Sequence, residues 1–337
     1  MSAVAVMGAG SWGTAFALMC ADAGPRTRLW ARDPALAEQI TREHRNERYL
    51  PDIRLPEKLV ASADPEQVLD GASVVVLGVP SAHLGDQLAQ WGGAIPAHAT
   101  LVSLIKGVDV ETRRFGSQMI VDALGCDPDR LVVVSGPNLA KECARRLPAA
   151  TVAAGPDRGR TEQVQAAVMT PAFRVYTDHD RAGVEIGGAV KNVIALSAGM
   201  ATGMGFGDNT LATVITRGLA EMTRFGVALG AEALTFAGLS GVGDLVATCT
   251  SPHSRNRTVG ERLGRGEQLA DIIASMHMVA EGVKSSRAIV ALAREVGVEM
   301  PIAEGVVGVC HHGRDPRELG NALMARDAKP ERYGLDR

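Results

Sequence analysis

An α/β chain in two domains, a doubly wound sheet followed by an all-helical domain, is what this sequence predicts, and three observations predict it. Through residue 180, short apolar runs alternate with helical periodicity, the pattern of a parallel sheet covered by helices on both faces. A glycine-rich turn, GAGSWG (8–13), stands directly between the first of those runs and the first helical pattern. Beyond about residue 181 no convincing strand follows, only long helical patterns. The expected domains are therefore 1–180 and 181–337, with a cleft between them.

The strands expected in order are 3–7, 28–30, 74–79, 100–103, 131–135, 151–154 and 174–176. Helical patterns separate them at 12–23, 34–45, 84–91, 112–124 and 160–169. In the first turn Gly8 permits the sharp bend, Gly10 lets the backbone approach a pyrophosphate, and Gly13 lets helix pack on strand. Free amides at the helix start then hold the negative charge. Placed between strand and helix, this is the dinucleotide signature of a Rossmann-type domain.

The second strand ends in Trp30-Ala31-Arg32-Asp33-Pro34. An acid at this position binds the ribose 2′-hydroxyl of NAD, whereas an arginine favours the 2′-phosphate of NADP. Asp33 followed by Pro34 reads as the N-cap and first residue of the next helix. Arg32 is left facing the ribose, so NADPH is expected in preference to NADH. Val79-Pro80-Ser81 and Lys106-Gly107 end later strands, where ligands of open sheets bind.

In the second half, helical patterns cover 184–200, 210–229, 255–263, 282–296 and 303–310. The first, containing GGAVKNVIALSAG, carries Lys191 inside a small and apolar run. Side chains on a helix lean toward its N-terminus, so Lys191 lies over Gly187 and Gly188, and the face continues through Ala195 and Ala198. A shallow trough with one desolvated ammonium is expected, able to exchange a proton with a small substrate. The competing reading is helix packing through small residues, with the lysine reaching solvent. Asp244 sits in an apolar segment and needs a cation, a site lysine by preference, or else caps a helix. Ser254 reads as an N-cap, and with Arg255 and Asn256 it makes an anion site suited to a phosphate.

Composition narrows the classes. The 35 Lys and Arg nearly balance the 38 Asp and Glu, a formal charge of −3, so no nucleic-acid partner is expected. No apolar run approaches the ~20 residues of a membrane span, and the opening MSAVAVMGAG lacks a charged leader. The five dispersed cysteines fit a reducing compartment, so a cytoplasmic location is expected. His311-His312 has no supporting ligand spacing, so no metal is expected. From the apolar helical half a homodimer is expected. The closing KPERYGLDR reads as a solvated tail.

The blocks GAGSWGTA, LPDIRLP, SLIKG, SGPNLAKE, GGAVKNVIALSAGM, ITRGLAEM, GLSGVGDLVATCTSPHSRNR and VAEGVKS carry a resemblance over essentially the whole chain. It is similar to the bacterial NAD(P)-dependent glycerol-3-phosphate dehydrogenases. The resemblance implies reversible hydride transfer between sn-glycerol 3-phosphate and dihydroxyacetone phosphate, supplying phospholipid synthesis. It implies that Lys191 is the proton acceptor for the C2 hydroxyl. Lys106 would touch cofactor and substrate, with Gly136 and Asn138 beside it, and Asn192 and Thr248 would lie near the substrate. Asp244, Ser254, Arg255 and Asn256 would complete that site, Arg255 also reaching the cofactor. Ser11, Trp12, Arg32, Ala140, Val279 and Glu281 would line the dinucleotide. Asn138 departs from the pattern, since many members carry Ser or Thr there. The alternatives are a related two-domain dehydrogenase for a 3-hydroxy acid or phosphogluconate, and a non-catalytic dinucleotide sensor.

Overall fold

The computed structural model describes residues 3–276, 280–328 and 330–331. The expected cofactor residue Val279 and most of the expected C-terminal tail lie outside the described residues. The chain divides into two compact units: Met1–Ile105 with Gly116–Arg181, and Lys106–Phe115 with Ala182–Arg337.

The first unit contains strands β1 (Ala3–Met7), β2 (Arg26–Trp30), β3 (Arg45–Asn46), β4 (Leu50–Arg54), β5 (Val60–Ser62), β6 (Val74–Leu77), β7 (Thr100–Ser103), β8 (Leu131–Ser135), β9 (Ala149–Ala154) and β10 (Phe173–Asp178). Its helices are α1 (Ser11–Ala23), α2 (Pro34–Glu43), α3 (Pro65–Leu69), α4 (Ser81–Trp91), α5 (Gly116–Leu124), α6 (Ala140–Ala144) and α7 (Arg158–Val168). Eight strands form one sheet in the order β10-β9-β8-β7-β6-β1-β2-β5, while β3 and β4 make a separate antiparallel hairpin. The alternation of side chains along β1 accounts for a two-sided core. Val4 and Val6 pack with Phe16 and Leu18 of α1, whereas Ala5 and Met7 face Leu84 and Trp91 of α4.

The sheet departs from the all-parallel expectation at one pair, because β8 and β9 run antiparallel. Only the five-residue α6 lies on their connection. A helix of that length spans about 7.5 Å, too little to recross a strand of about 17 Å, so the chain folds straight back.

The second unit comprises α8 (Arg181–Gly203), α9 (Asp208–Ala228), α10 (Asp244–Thr250), α11 (Arg255–Gly264), α12 (Leu269–Ala274), α13 (Glu281–Glu295), α14 (Pro301–His312) and α15 (Pro316–Met324). Helix α8 is long and apolar enough to cross a membrane by length and composition alone, yet its apolar window is wholly buried within the protein. It is therefore a core helix. Glycines let it touch its neighbours backbone to backbone. A Cβ on Gly199 would lie 2.1 Å from the Arg257 carbonyl oxygen, and one on Gly260 2.1 Å from that of Leu196. Residues 106–115, predicted with the sheet domain and partly as helix, belong instead to this unit, and α5 starts only at Gly116. Val108 and Phe115 pair in an isolated bridge and join the helical core. The Val108 amide donates to Ser285 Oγ at 3.2 Å, and Arg113 pairs with Glu295.

Glu221 of α9 is buried and caps the start of α14, accepting from the Ile302 amide at 2.8 Å and the Ala303 amide at 3.4 Å. Burial raises its carboxyl from 4.5 to about 7, although the two amides and Arg224 oppose the rise. A carboxyl raised on folding contributes stability that is complete below its unfolded pKa and lost as pH rises through the folded value. Glu221→Gln, which stays neutral, should therefore gain in Tm relative to the native protein between pH 5.5 and 8.5. A Tm difference that stays flat across this range would show that Glu221 is ionised throughout.

Candidate active site

Asp244 opens α10 after a π-helical turn, Leu239–Gly243, and is 2 % exposed. A carboxylate so placed needs compensation, and two lysines provide it. Lys106 Nζ donates to Oδ2 at 2.7 Å, and Lys191 Nζ donates to Oδ1. Lys191 also donates to Thr248 Oγ1 at 2.9 Å, and that hydroxyl donates on to Asp244 Oδ1 at 3.3 Å. Asp244 and Thr248 share one face because they lie one helical turn apart.

Burial lowers the Lys191 ammonium from 10.5 to about 8; Asp244 raises it and Lys106 lowers it again. Burial alone would raise the Asp244 carboxyl, but the two ammonium groups outweigh it and hold the group below its ordinary range. Two cations on one anion leave a surplus positive charge in a largely dry setting, suited to an anionic substrate or a developing oxyanion. Cys249 beside them is pushed up to about 12 by burial, so it remains a neutral thiol.

Gly187, beside Lys191, serves a purpose other than the one expected. A Cβ on Gly187 would come 2.5 Å from the Ser240 carbonyl oxygen, so the glycine admits the π-helical turn. Ala195 and Ala198 are buried as well. No open trough runs along this face. Close packing holds at Gly187, while the lysine ends on Asp244 and not in solvent.

Asn192 and Asn256 link the surrounding backbone. Asn192 Nδ2 donates to the Lys106 carbonyl at 3.0 Å, and its Oδ1 accepts from Asn256 Nδ2 at 2.9 Å. Asn256 Oδ1 in turn accepts from the Gly282 amide at 3.0 Å. Ser254 caps α11 as expected, its Oγ accepting from the Arg257 amide at 3.3 Å. Arg255 stands exposed in the first turn of α11, with Glu281 near enough to interact electrostatically. Lys106, Lys191, Asn192, Asp244, Thr248, Ser254, Arg255, Asn256 and Glu281 thus all fall in the helical unit.

Gly8, Gly10, Ser11, Trp12, Gly13, Arg32, Gly136, Asn138 and Ala140 fall in the sheet unit. Gly8 has a left-handed φ of 126°, and a Cβ on Gly13 would lie 2.0 Å from the Gly8 carbonyl oxygen. At Gly10 a Cβ would meet nothing within 4 Å. Helix α1 starts there without a side-chain cap. The open space and uncapped amides fit a pyrophosphate, and the buried Trp12 Nε1 finds no hydrogen-bond partner among the described residues. Asn46, which sequence reasoning missed, is fully buried and braces this turn, donating to the Ala9 carbonyl at 3.0 Å and to Thr14 Oγ1 at 2.8 Å. Its surrounding RNER is charged and reads as an ordinary loop, so no local signal marks it.

Asn138 Nδ2 donates to the Ala150 carbonyl at 2.8 Å, whereas its buried Oδ1 has no partner among the described residues. Gly136 allows that loop to pass close to β9, since a Cβ would sit 2.9 Å from Thr151 Cα. Ala140 begins α6. Asp33 caps α2, accepting from the Ala35 amide at 3.0 Å, and Arg32 is exposed. Among the described residues no group of three or more His, Cys, Asp and Glu side chains is placed to hold a metal ion.

Residues 3–160 match the family model for the NAD-dependent glycerol-3-phosphate dehydrogenase N-terminus, and residues 180–321 match that for its C-terminus. Over 332 residues the chain is 54% identical to a glycerol-3-phosphate dehydrogenase [NAD(P)+] of Corynebacterium aurimucosum, covering 98% of this chain and all of the relative. The corresponding Parafrankia protein is 53% identical over 98% of this chain and 99% of its own. Among solved structures, glycerol-3-phosphate dehydrogenase from Coxiella burnetii superposes with a TM-score of 0.91 at 34% identity, over 96% of this chain and 99% of that one.

Proposed function

Because this chain belongs to the NAD-dependent glycerol-3-phosphate dehydrogenase family, we propose that its buried Lys106–Asp244–Lys191 group is the catalytic centre of that family's reaction. The protein is an oxidoreductase that interconverts sn-glycerol 3-phosphate and dihydroxyacetone phosphate using NAD(P)H. The same findings favour this activity over a 3-hydroxyacid or phosphogluconate dehydrogenase.

The observation that carries the site assignment is the surplus positive charge on Asp244, with Lys191 lowered to about 8. Gly8, Gly10, Ser11, Trp12, Gly13, Arg32 and Ala140 would hold the dinucleotide, joined by Arg255 and Glu281. When bound, the dinucleotide supplies the hydride to C2. In ketone reduction, Lys191 is mostly an ammonium near pH 7 and gives its proton to the C2 oxygen as negative charge builds there. In alcohol oxidation the neutral amine takes the C2 hydroxyl proton, so that direction gains as pH rises through about 8. Asp244 and Thr248 fix the Nζ, while Lys106 keeps the centre net positive and touches both substrate and cofactor. Asn192 and Asn256 hold the backbone around it beside the substrate. Gly136 lets Asn138 offer to a substrate hydroxyl its Oδ1, which has no partner among the described residues.

Ser254 and Arg255 at the start of α11 bind the phosphate, whose remote binding energy positions C2. Arg255→Ala should raise KM for dihydroxyacetone phosphate by about tenfold or more, with a smaller effect on kcat. Steady-state kinetics at saturating cofactor test this, and an unchanged KM would remove the phosphate assignment.

NADPH is the preferred cofactor in this reading, because Asp33 is committed to α2 and leaves Arg32 exposed at the end of β2. The product serves phospholipid synthesis in the cytoplasm, and the protein works as a homodimer. The deciding experiment follows oxidation of NADPH and of NADH with dihydroxyacetone phosphate. Faster turnover with NADPH at low concentration supports the preference, and oxidation of neither cofactor would overturn the activity.

A further inference from the structure

We infer that Arg48, in the turn of the β3–β4 hairpin, is a second ligand for the 2′-phosphate and a determinant of cofactor preference; this rests on the NADPH reading above. The hairpin is fastened to the glycine-rich turn. Asn46 donates to Ala9 and Thr14, the Tyr49 amide donates to Asn46 Oδ1 at 3.2 Å, and Ser11 Oγ donates to the Tyr49 carbonyl at 3.2 Å. Arg48 therefore stands at a fixed place relative to the phosphate cradle. Its guanidinium lies 5.4 Å over the Tyr49 ring, which restricts the long side chain to a few directions.

One of those directions ends just beyond β2, at the N-cap of α2. Arg48 Nη1 lies 4.0 Å from Asp33 Oδ2, while the other oxygen of Asp33 caps α2. The two side chains are 65% and 51% exposed, so the ion pair itself contributes little to stability. It matters for charge. A 2′-phosphate at the end of β2 would meet Arg32 and Asp33 together, whose charges cancel. Arg48 tips that balance to net positive, and its planar fork can exchange a weak, exposed carboxylate contact for a dianion.

The test is binding of 2′,5′-ADP and of 5′-AMP to the intact protein by calorimetry, alongside KM for NADPH and NADH. Arg48→Ala should weaken 2′,5′-ADP and raise the NADPH KM by about tenfold, leaving 5′-AMP, the NADH KM, kcat and Tm unchanged. Arg48→Lys should recover only part of the loss, as a point charge without the fork. If Arg32→Ala discriminates against 2′,5′-ADP and Arg48→Ala does not, the assignment of Arg48 falls alone. If neither variant separates 2′,5′-ADP from 5′-AMP, the NADPH reading falls with it. Equal losses for both ligands in Arg48→Ala would show a structural role for the hairpin and overturn the specificity role.

Discussion

Lys191→Ala is expected to lower turnover about a thousandfold, in the middle of the range for removing a positioned general acid, while leaving NADPH affinity nearly unchanged. The fold should persist. Asp244 keeps Lys106 at 2.7 Å, so deletion of the second ammonium leaves a balanced pair and not an orphaned charge. In the proposed reading the dinucleotide is held on the glycine-rich turn, which falls in the sheet unit, whereas Lys191 falls in the helical one. The missing side chain also leaves room for a small amine. Added methylammonium should restore part of the lost activity, with a pH dependence set by the added amine. Near-normal turnover in the purified variant would end the catalytic role of Lys191.

What could be read in advance from the amino-acid order follows from how local each cause is. The glycine-rich turn and the Asp33–Pro34 helix start depend on residues within a few positions, and both form as their chemistry requires. The burial of Lys191 was legible too, because its helix is apolar all round. The role of Gly187 was not, since the atom that fills its open side belongs to Ser240, far along the chain. Residues 106–115 follow a strand directly and look like its continuation, yet Ser285 and Glu295, which tie them to the helical unit, come much later. The β3–β4 hairpin offers a two-residue strand with no period to detect. The resemblance to a dehydrogenase family identified the reaction; the residues alone pointed only to dinucleotide, lysine and anion.

Asp244→Asn separates the electrostatic role of this carboxylate from its place in a helix. At the first turn of α10, loss of its charge removes a dipole interaction of about 0.3–1 kcal/mol, which does not change between pH 6 and 9. As the shared partner of two lysines its loss should cost about 3–5 kcal/mol, since their ammonium groups then face each other unpaired. Lys106, with 16% of its side chain exposed, can turn toward water; the buried Lys191 escapes only by shedding its proton. Its pKa, already lowered to about 8, should fall further without Asp244, which raises it. A lysine depressed on folding binds fewer protons folded than unfolded, so stability rises with pH above the folded value. The Tm deficit of Asp244→Asn should accordingly be largest near pH 6 and shrink toward pH 9. Ketone reduction needs the ammonium, so kcat should fall at least a hundredfold at pH 7.5, and the alkaline limb of its pH profile should move to lower pH. A small deficit independent of pH, with the profile unmoved, would reduce Asp244 to a helix-start residue and remove the coupled lysine pair from the mechanism.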